Sequence, residues 1–272
     1  MMLFMGYLNL CLIDYVVWWS VFVVCTFIFL FVAKDSVFYG GLVNYYVLQE
    51  LCGYYFLVFN NWKIQFLVLA LKVGCAPVHF WLFSVVECLN KWFVMWFLVL
   101  QKLPYLFVMI NFCSDFFFFF LFFGMVICYL QFFLVRSVLS MLVIGSTESF
   151  SWLLFLSMFS FGEIFFFFFF YYFVMFCVVM YFFAGGRGVL NFELVFVFMN
   201  IPLSVTFLLK VFLLVSSVGV GLYYLFLLLF LSVFSLGFCY WLFCLCMFVD
   251  GGVKYYDCYF FILLVFMVVS FL

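Results

Sequence analysis

The sequence is poor in charge, in proline and in histidine. Of its 272 residues, 7% are Asp, Glu, Lys or Arg, 3 are proline and 1 is histidine, whereas 74% are apolar. Soluble domains carry about 25% charged residues, so this chain has too few charges to cover a surface that faces water. A hydrocarbon environment removes that requirement. The composition therefore excludes a soluble globule and predicts an integral membrane protein.

The apolar runs also lack the alternation of polar and apolar residues that a transmembrane β-strand shows. Short polar segments, such as the one from Lys34 to Ser36, divide the chain into long apolar runs. A helical span needs roughly 20 residues, so we expect an all-α bundle of about ten or eleven transmembrane helices. Interruptions that contain Pro77 and Pro202 predict two broken helices. We expect one polytopic membrane domain over residues 1–272.

Motifs for cofactors, metals and nucleic acids are missing. The 12 cysteines form no CxxC pair and have no histidine partners, so they are interpreted as small apolar filling residues and not as metal ligands. No arrangement supports a flavin, an iron–sulfur cluster or a haem in this chain. The net charge of −1 and the absence of a basic run exclude nucleic acid as a partner. Almost no residues are left for an extramembrane domain, so we expect no directly bound soluble substrate.

The N-terminal segment Met1–Leu12 has no basic region, no Arg-rich amphipathic stretch and no small-residue cleavage site. We therefore expect synthesis beside the membrane in which the chain resides. The 53 phenylalanines indicate a bias toward T-rich codons, which is typical of a small organelle genome. The Lys and Arg residues of the loops do not alternate between successive loops, so they predict no orientation.

Three lysines lie inside apolar runs: Lys72, Lys102 and Lys210. A charged lysine at the middle of a membrane costs about 2.5–3.5 kcal/mol even on a lenient scale. Burial against other helices, water or carboxylates must offset this cost. Either the lysines hold helices together through ion pairs, or they exchange protons, as buried lysines can at physiological pH. Three such residues on separate helices favour proton transfer.

Carboxylates and the only histidine provide candidate partners for these lysines. Glu50 lies in the middle of the apolar run Tyr39–Phe59, and Glu148 lies in a polar patch before Trp152. Glu50 is the favoured partner of Lys72. His79 follows Pro77 by two residues, and two interpretations of it stay open: a proton relay or a hydrogen-bonded packing residue.

The run from Lys72 to Trp81 reads K-V-G-C-A-P-V-H-F-W, and Gln101–Pro104 reads Q-K-L-P. These runs resemble the K-[LIV]-G-x-A-P-x-H-F-W and Q-K-L-x-P motifs of a known family, the NADH-ubiquinone oxidoreductase chain 2 of animal mitochondria. Weaker similarities follow the family order at Asn44–Gln49, Ser146–Trp152 and Ile201–Lys210.

The resemblance implies an antiporter-like subunit in the membrane arm of respiratory complex I, in the mitochondrial inner membrane. Lys72 would be the central proton carrier, Lys102 a relay and Lys210 the terminal group, with other membrane-arm subunits and the lipid bilayer as partners. FMN, iron–sulfur clusters and ubiquinone would then be bound by other subunits. Two alternatives stay open: a free-standing cation/proton antiporter and a non-conducting structural subunit.

The sequence departs from the family at one ionisable position. The family carries a glutamate that should fall near Trp18–Phe22, but that segment contains no carboxylate. Glu50 or Asp14 could substitute for it, or the proton gate works differently. The histidine of the family's later motif is also absent, because its position falls near Ser149.

Overall fold

The structure is a computed structural model that describes residues 1–35, 39–134, 137–159, 172, 205–219 and 221–249. Every regular element in these ranges is a helix, and there is no strand among them. This confirms the predicted all-helical class. The expected runs around Phe161–Phe183, around Pro202 and from Tyr256 to the C-terminus lie outside the described residues.

Eleven α-helices can be assigned in the described part of the chain. They are α1 Met2–Cys11, α2 Tyr15–Val32, α3 Tyr39–Val58, α4 Trp62–Val73, α5 Trp81–Cys88, α6 Lys91–Leu98, α7 Leu103–Phe112, α8 Phe118–Leu134, α9 Val138–Phe159, α10 Val205–Val218 and α11 Leu222–Val249. Short 3-10 helices cover Ala33–Asp35, Leu100–Lys102 and Asp115–Phe117.

The chain divides into two compact units, which are described separately. The first comprises Met1–Cys128 and Leu139–Leu154, and the second comprises Tyr129–Val138 and Phe155–Leu272. Lys72 and Lys102 belong to the first unit, and Lys210 belongs to the second.

Two helices of the described part are long and apolar enough to cross a membrane, Tyr15–Val32 and Leu139–Phe159. A third crossing would come from Trp96–Phe112 together with Asp115–Gln131, two segments bent by 113° at their junction, if they form one broken span. The helical membrane class therefore agrees with the prediction. The number of ten or eleven spans stays a prediction, since several of the expected runs are not described.

The break predicted before Pro77 lies between α4 and α5. Gly74 ends α4 in the left-handed conformation, with φ 73° and ψ 47°. The N–H of Gly74 donates to the Leu71 carbonyl at 3.2 Å, and the N–H of Cys75 donates to the Ala70 carbonyl at 2.8 Å. Glycine adopts this conformation far more readily than other residues, so Gly74 ends α4 at this position. Lys72 is thereby placed in the last turn before the break.

A second break lies within the run from Trp92 to Phe112, which the apolar pattern predicts as one span. Helix α6 ends at Leu98, a 3-10 helix covers Leu100–Lys102, and α7 starts at Leu103. Pro104 lies at the start of α7. Its ring clashes with the carbonyl four residues earlier in a regular helix, so the preceding turn tightens. Lys102 therefore also lies at a helix break.

Aromatic rings connect α2 to its neighbours in the first unit. The Phe22 ring stacks on Tyr105 of α7 with centroids 4.6 Å apart, and it meets Phe56 of α3 edge-on at 5.8 Å. Two turns further along α2, Phe29 lies 4.8 Å from Tyr45 of α3 and 5.2 Å from Phe97 of α6. Apolar burial gives little driving force between helices in lipid, so such ring packing is a main source of cohesion.

In the second unit, α10 and α11 pack side by side. Leu213 of α10 and Leu228 and Leu231 of α11 are fully buried. Phe159, at the end of α9, lies 5.8 Å from the ring of Tyr224 on α11. This pair of helices carries Lys210 on its buried face.

The Gly74 turn predicts a specific loss of stability. A Cβ at this position would lie 2.6 Å from Cδ1 of Leu82, in a backbone conformation that residues with side chains avoid. Gly74→Ala should therefore destabilise the protein by roughly 1–3 kcal/mol, measured as a lower melting temperature in detergent. The control is Gly40→Ala on α3, where an added Cβ meets no atom within 4 Å. Equal melting temperatures for the two variants would contradict this account of the break.

Candidate functional site

The first predicted site residue, Lys72, is buried in the first unit. Only 2% of its surface is exposed. Its Nζ lies 5.2 Å from the centre of the Phe22 ring. An added Cβ on Gly53 of α3 would lie 3.6 Å from the same nitrogen, so the ammonium group lies against the α3 backbone at this glycine. Lys72 thus lies between α2 and α3, away from solvent.

Polar side chains donate to two carbonyl groups in the last turn of α4. Gln49 of α3 donates from Nε2 to the Lys72 carbonyl at 2.8 Å. Trp81 of α5 donates from Nε1 to the Leu71 carbonyl at 3.0 Å. Buried carbonyls need such partners, because an unpaired one is costly. Gln49 and Trp81 therefore hold the backbone around Lys72 in place.

Two further amide–phenol pairs lie between α3 and the second break. Tyr105 donates from its hydroxyl to Oε1 of Gln49 at 3.5 Å, and Gln101 donates from Nε2 to the Tyr45 hydroxyl. All four side chains are buried. The motif comparison covers Tyr45, Gln49 and Gln101 but does not indicate these pairings, because residues far apart in sequence form them. The one available signal was the presence of glutamines inside apolar runs.

Lys102 is buried with 4% of its surface exposed. Its Nζ donates to Ser146 of α9 twice, to the carbonyl oxygen at 3.1 Å and to the hydroxyl oxygen at 3.2 Å. The Ser146 hydroxyl in turn donates to the Val143 carbonyl at 2.9 Å, so its lone pairs face the lysine. The Phe150 ring centre is 5.4 Å from the same nitrogen. In the described part of the chain, Lys102 forms no ion pair with a carboxylate.

Lys210 has a similar arrangement in the second unit. It is 6% exposed, and its Nζ donates to the Ser235 hydroxyl of α11 at 3.1 Å. Ser235 donates its own proton to the Ser232 carbonyl at 2.7 Å. Neither Ser146 nor Ser235 was predicted from the sequence as a partner of these lysines. A serine in an apolar helix is a weak signal, because it usually bonds to its own backbone.

The other predicted residues occupy different settings. Glu50 is partly buried on α3. It acts electrostatically on Lys72, together with the thiols of Cys52 and Cys25. No carboxylate oxygen of the described residues lies within 4.0 Å of the Lys72 nitrogen, so Glu50 and Lys72 form no ion pair. Asp14 is exposed at the start of α2.

Glu148 and His79 both lie within the protein. Glu148 of α9 is partly buried, and its Oε1 accepts a hydrogen bond from the Trp152 indole at 3.3 Å. His79 is fully buried in the turn between α4 and α5. Its ring stacks on Phe80 at 5.2 Å and contacts Phe83 at 5.8 Å. The two interpretations of His79 both remain open.

In the described residues, no group of three His, Cys, Asp or Glu side chains lies together where a metal ion could bind. The thiols of Cys25, Cys52, Cys75 and Cys128 are buried. The assignment of cofactors to other subunits stays a prediction.

Comparison with known proteins identifies the family. No protein-family model matches the sequence. NADH-ubiquinone oxidoreductase chain 2 of Ascaris suum is 40% identical over 212 residues, which cover 78% of this chain and 70% of that protein. The protein of the same name from Caenorhabditis elegans is 36% identical over 211 residues, which cover 77% of this chain and 75% of that protein.

These identities extend over more than two thirds of each relative, and they confirm the resemblance that the motif around Lys72 indicates. The chain belongs to the NADH-ubiquinone oxidoreductase chain 2 family.

Proposed function

We propose that this chain is a proton-translocating subunit in the membrane arm of respiratory complex I. It would couple the electron transfer from NADH to ubiquinone, performed elsewhere in the complex, to proton movement across the mitochondrial inner membrane. Its partners would be the other membrane-arm subunits and the lipid bilayer. Flavin, iron–sulfur clusters and ubiquinone would be held by those other parts of the complex.

The observation that carries this proposal is the burial of three lysines inside an apolar protein. Lys72, Lys102 and Lys210 expose 2%, 4% and 6% of their surfaces. Charged groups at such positions are expensive, and in membrane proteins they mark paths for ions and protons. Their positions in the sequence match the three lysines that the family motifs contain.

Each lysine would have a separate role in the transfer. Lys72 takes up a proton and releases it when the electrostatic influence of its neighbours changes. The proton passes toward Lys102 through internal water, with His79 as a candidate intermediate. Lys210 exchanges it with one side of the membrane.

The hydrogen bonds of Lys102 support reversible protonation. Its nitrogen donates to the carbonyl and the hydroxyl of Ser146, which carry no charge, and in the described part of the chain it forms no ion pair. A carboxylate at hydrogen-bonding distance would stabilise the charged lysine strongly and hold its proton. A hydroxyl oxygen solvates the ammonium but can also turn to donate to a neutral amine. Serine therefore suits a lysine that changes its charge.

One observation favours the alternative of a non-conducting structural subunit. Lys102 connects the second helix break to α9, and Lys210 connects α10 to α11, each through hydrogen bonds between helices. Such bonds could simply hold helices together. The two functions differ in the effect of weakening these bonds: a conducting subunit should pump more slowly, whereas a structural subunit should assemble less well.

The first test of proton translocation replaces the central lysine. Lys72→Met keeps the length of the side chain but removes the group that can carry a proton, so pumping by the assembled complex should be abolished. Proton uptake into vesicles, measured per NADH oxidised, provides the measurement. Lys63→Met is the matched control on the same helix, since Lys63 is partly exposed and its nitrogen lies over the Phe116 ring at 4.1 Å. Unchanged proton stoichiometry in Lys72→Met would refute the proposed role.

The second test separates conduction from scaffolding. Ser146→Ala removes the hydroxyl acceptor of Lys102 and leaves the backbone carbonyl at 3.1 Å. A hydrogen bond to a charged group contributes roughly 1.5 kcal/mol or more, so pumping should slow by about tenfold. The amount of assembled complex should stay normal.

Ser151→Ala is the control for that experiment. Ser151 is buried on the same helix and donates to the Thr147 carbonyl at 2.9 Å. If Ser146→Ala reduces assembly while each remaining complex pumps at the normal rate, the structural alternative is correct.

A further inference from the structure

The Lys72 ammonium lies over an aromatic ring. The nitrogen lies 5.2 Å from the centre of the Phe22 ring. A lysine nitrogen within about 6 Å of a ring centre is attracted by the electrons of the ring face, and the attraction increases when water is excluded. Both residues are buried, with Phe22 fully enclosed. The contact therefore lies in a setting where this attraction is strong.

The position of the Phe22 ring is fixed by residues other than the lysine. It stacks on Tyr105 with centroids 4.6 Å apart and an angle of 22° between the planes, and it contacts Phe56 at 5.8 Å. The ring would therefore stay in place when Lys72 loses its charge.

The titratable groups around Lys72 do not take over the role of the ring in stabilising the charge of the lysine. Cys25 on α2 and Cys52 and Glu50 on α3 act on the lysine electrostatically. Thiols are neutral near pH 7 in their ordinary state. Glu50 is only partly buried and lies beyond ion-pair distance. Tyr105, on α7, lies against the Phe22 ring.

We propose that the face of the Phe22 ring holds Lys72 in its charged form and thereby sets how readily this lysine takes up and releases its proton. This inference rests on the proposed function and names a positioning residue within that site. Phe22 lies at the end of the segment Trp18–Phe22, which contains no carboxylate. A ring attracts the ammonium more weakly than a carboxylate would and does not titrate itself. Lys72 can therefore give up its proton without leaving an unpaired buried negative charge behind.

The experiment measures the pH profile of proton pumping by the complete complex in vesicles. Phe22→Leu keeps an apolar side chain but removes the ring, so the charged form of Lys72 becomes less favoured. The alkaline limb of the profile should then move to lower pH by about one unit. Phe22→Tyr retains the ring and should keep the profile of the unchanged protein.

Phe29→Leu provides the matched control for loss of packing. Phe29 is fully buried on the same helix, two turns away, and packs against Tyr45 and Phe97. Among the described residues, no lysine nitrogen lies over its ring. Its removal should leave the alkaline limb in place. If Phe22→Leu does not assemble, Phe22→Met fills a similar volume with a flexible apolar chain and should give the same shift.

The outcomes separate this inference from the proposed function. A shift in Phe22→Leu that is absent from Phe29→Leu and Phe22→Tyr supports the role of the ring. The role of the ring is overturned if the alkaline limb does not move in Phe22→Leu, or in Phe22→Met when Phe22→Leu fails to assemble. An equal shift in Phe29→Leu also overturns it. If Lys72→Met abolishes pumping while the limb in Phe22→Leu is unmoved, only the ring's role fails. If Lys72→Met pumps normally, the proposed function itself fails.

Discussion

A lysine enclosed by apolar side chains must find some group to interact with its charge, and most features of the candidate site follow from this requirement. The free energy of placing a charge in the middle of a membrane is of the order of several kcal/mol. The protein contains three such residues and encloses each in helices. The Lys102 and Lys210 nitrogens each donate to a serine hydroxyl, and the Lys72 nitrogen lies 5.2 Å from the centre of the Phe22 ring. Uncharged groups therefore contribute to the stabilisation of these charges.

The helix breaks are the second structural consequence. Lys72 lies in the last turn of α4, and Lys102 lies in the 3-10 helix before α7. A broken helix leaves some carbonyl groups without hydrogen-bond partners from the helix itself. Inside a membrane protein these carbonyls must accept hydrogen bonds from neighbouring residues or water. Gln49 pairs the Lys72 carbonyl, and Trp81 adds a second hydrogen bond to the Leu71 carbonyl.

The sequence was sufficient to predict the class of protein, the unusual lysines and the break before Pro77. These depend on local composition and on residues with strong backbone preferences, such as Gly74. The 3-10 helix at Lys102 was not predicted. Pro104 changes the conformation of the turn that precedes it, and the apolar residues of that turn otherwise predict a continuous α-helix. The pairing of Lys102 with Ser146 was also not predicted, since it joins residues 44 positions apart.

The position of Phe22 illustrates the same limit. In a chain with 53 phenylalanines, composition gives no reason to select one ring. Which ring faces the lysine depends on how α2 is rotated against α3 and α4, and that rotation is set by tertiary packing. By contrast, the absence of a carboxylate near this position was visible in the sequence.

An experimental density map of the assembled complex in a lipid environment tests the central claim most directly, at a resolution that shows ordered water. The account predicts that the Lys72, Lys102 and Lys210 nitrogens lie inside the protein, away from lipid headgroups, with ordered water in contact with at least one of them. It also predicts that the Lys72 nitrogen remains beside the Phe22 ring. Lysine side chains that extend to headgroups or bulk solvent would contradict the account, because their charge would then need no conducting interior to be tolerated.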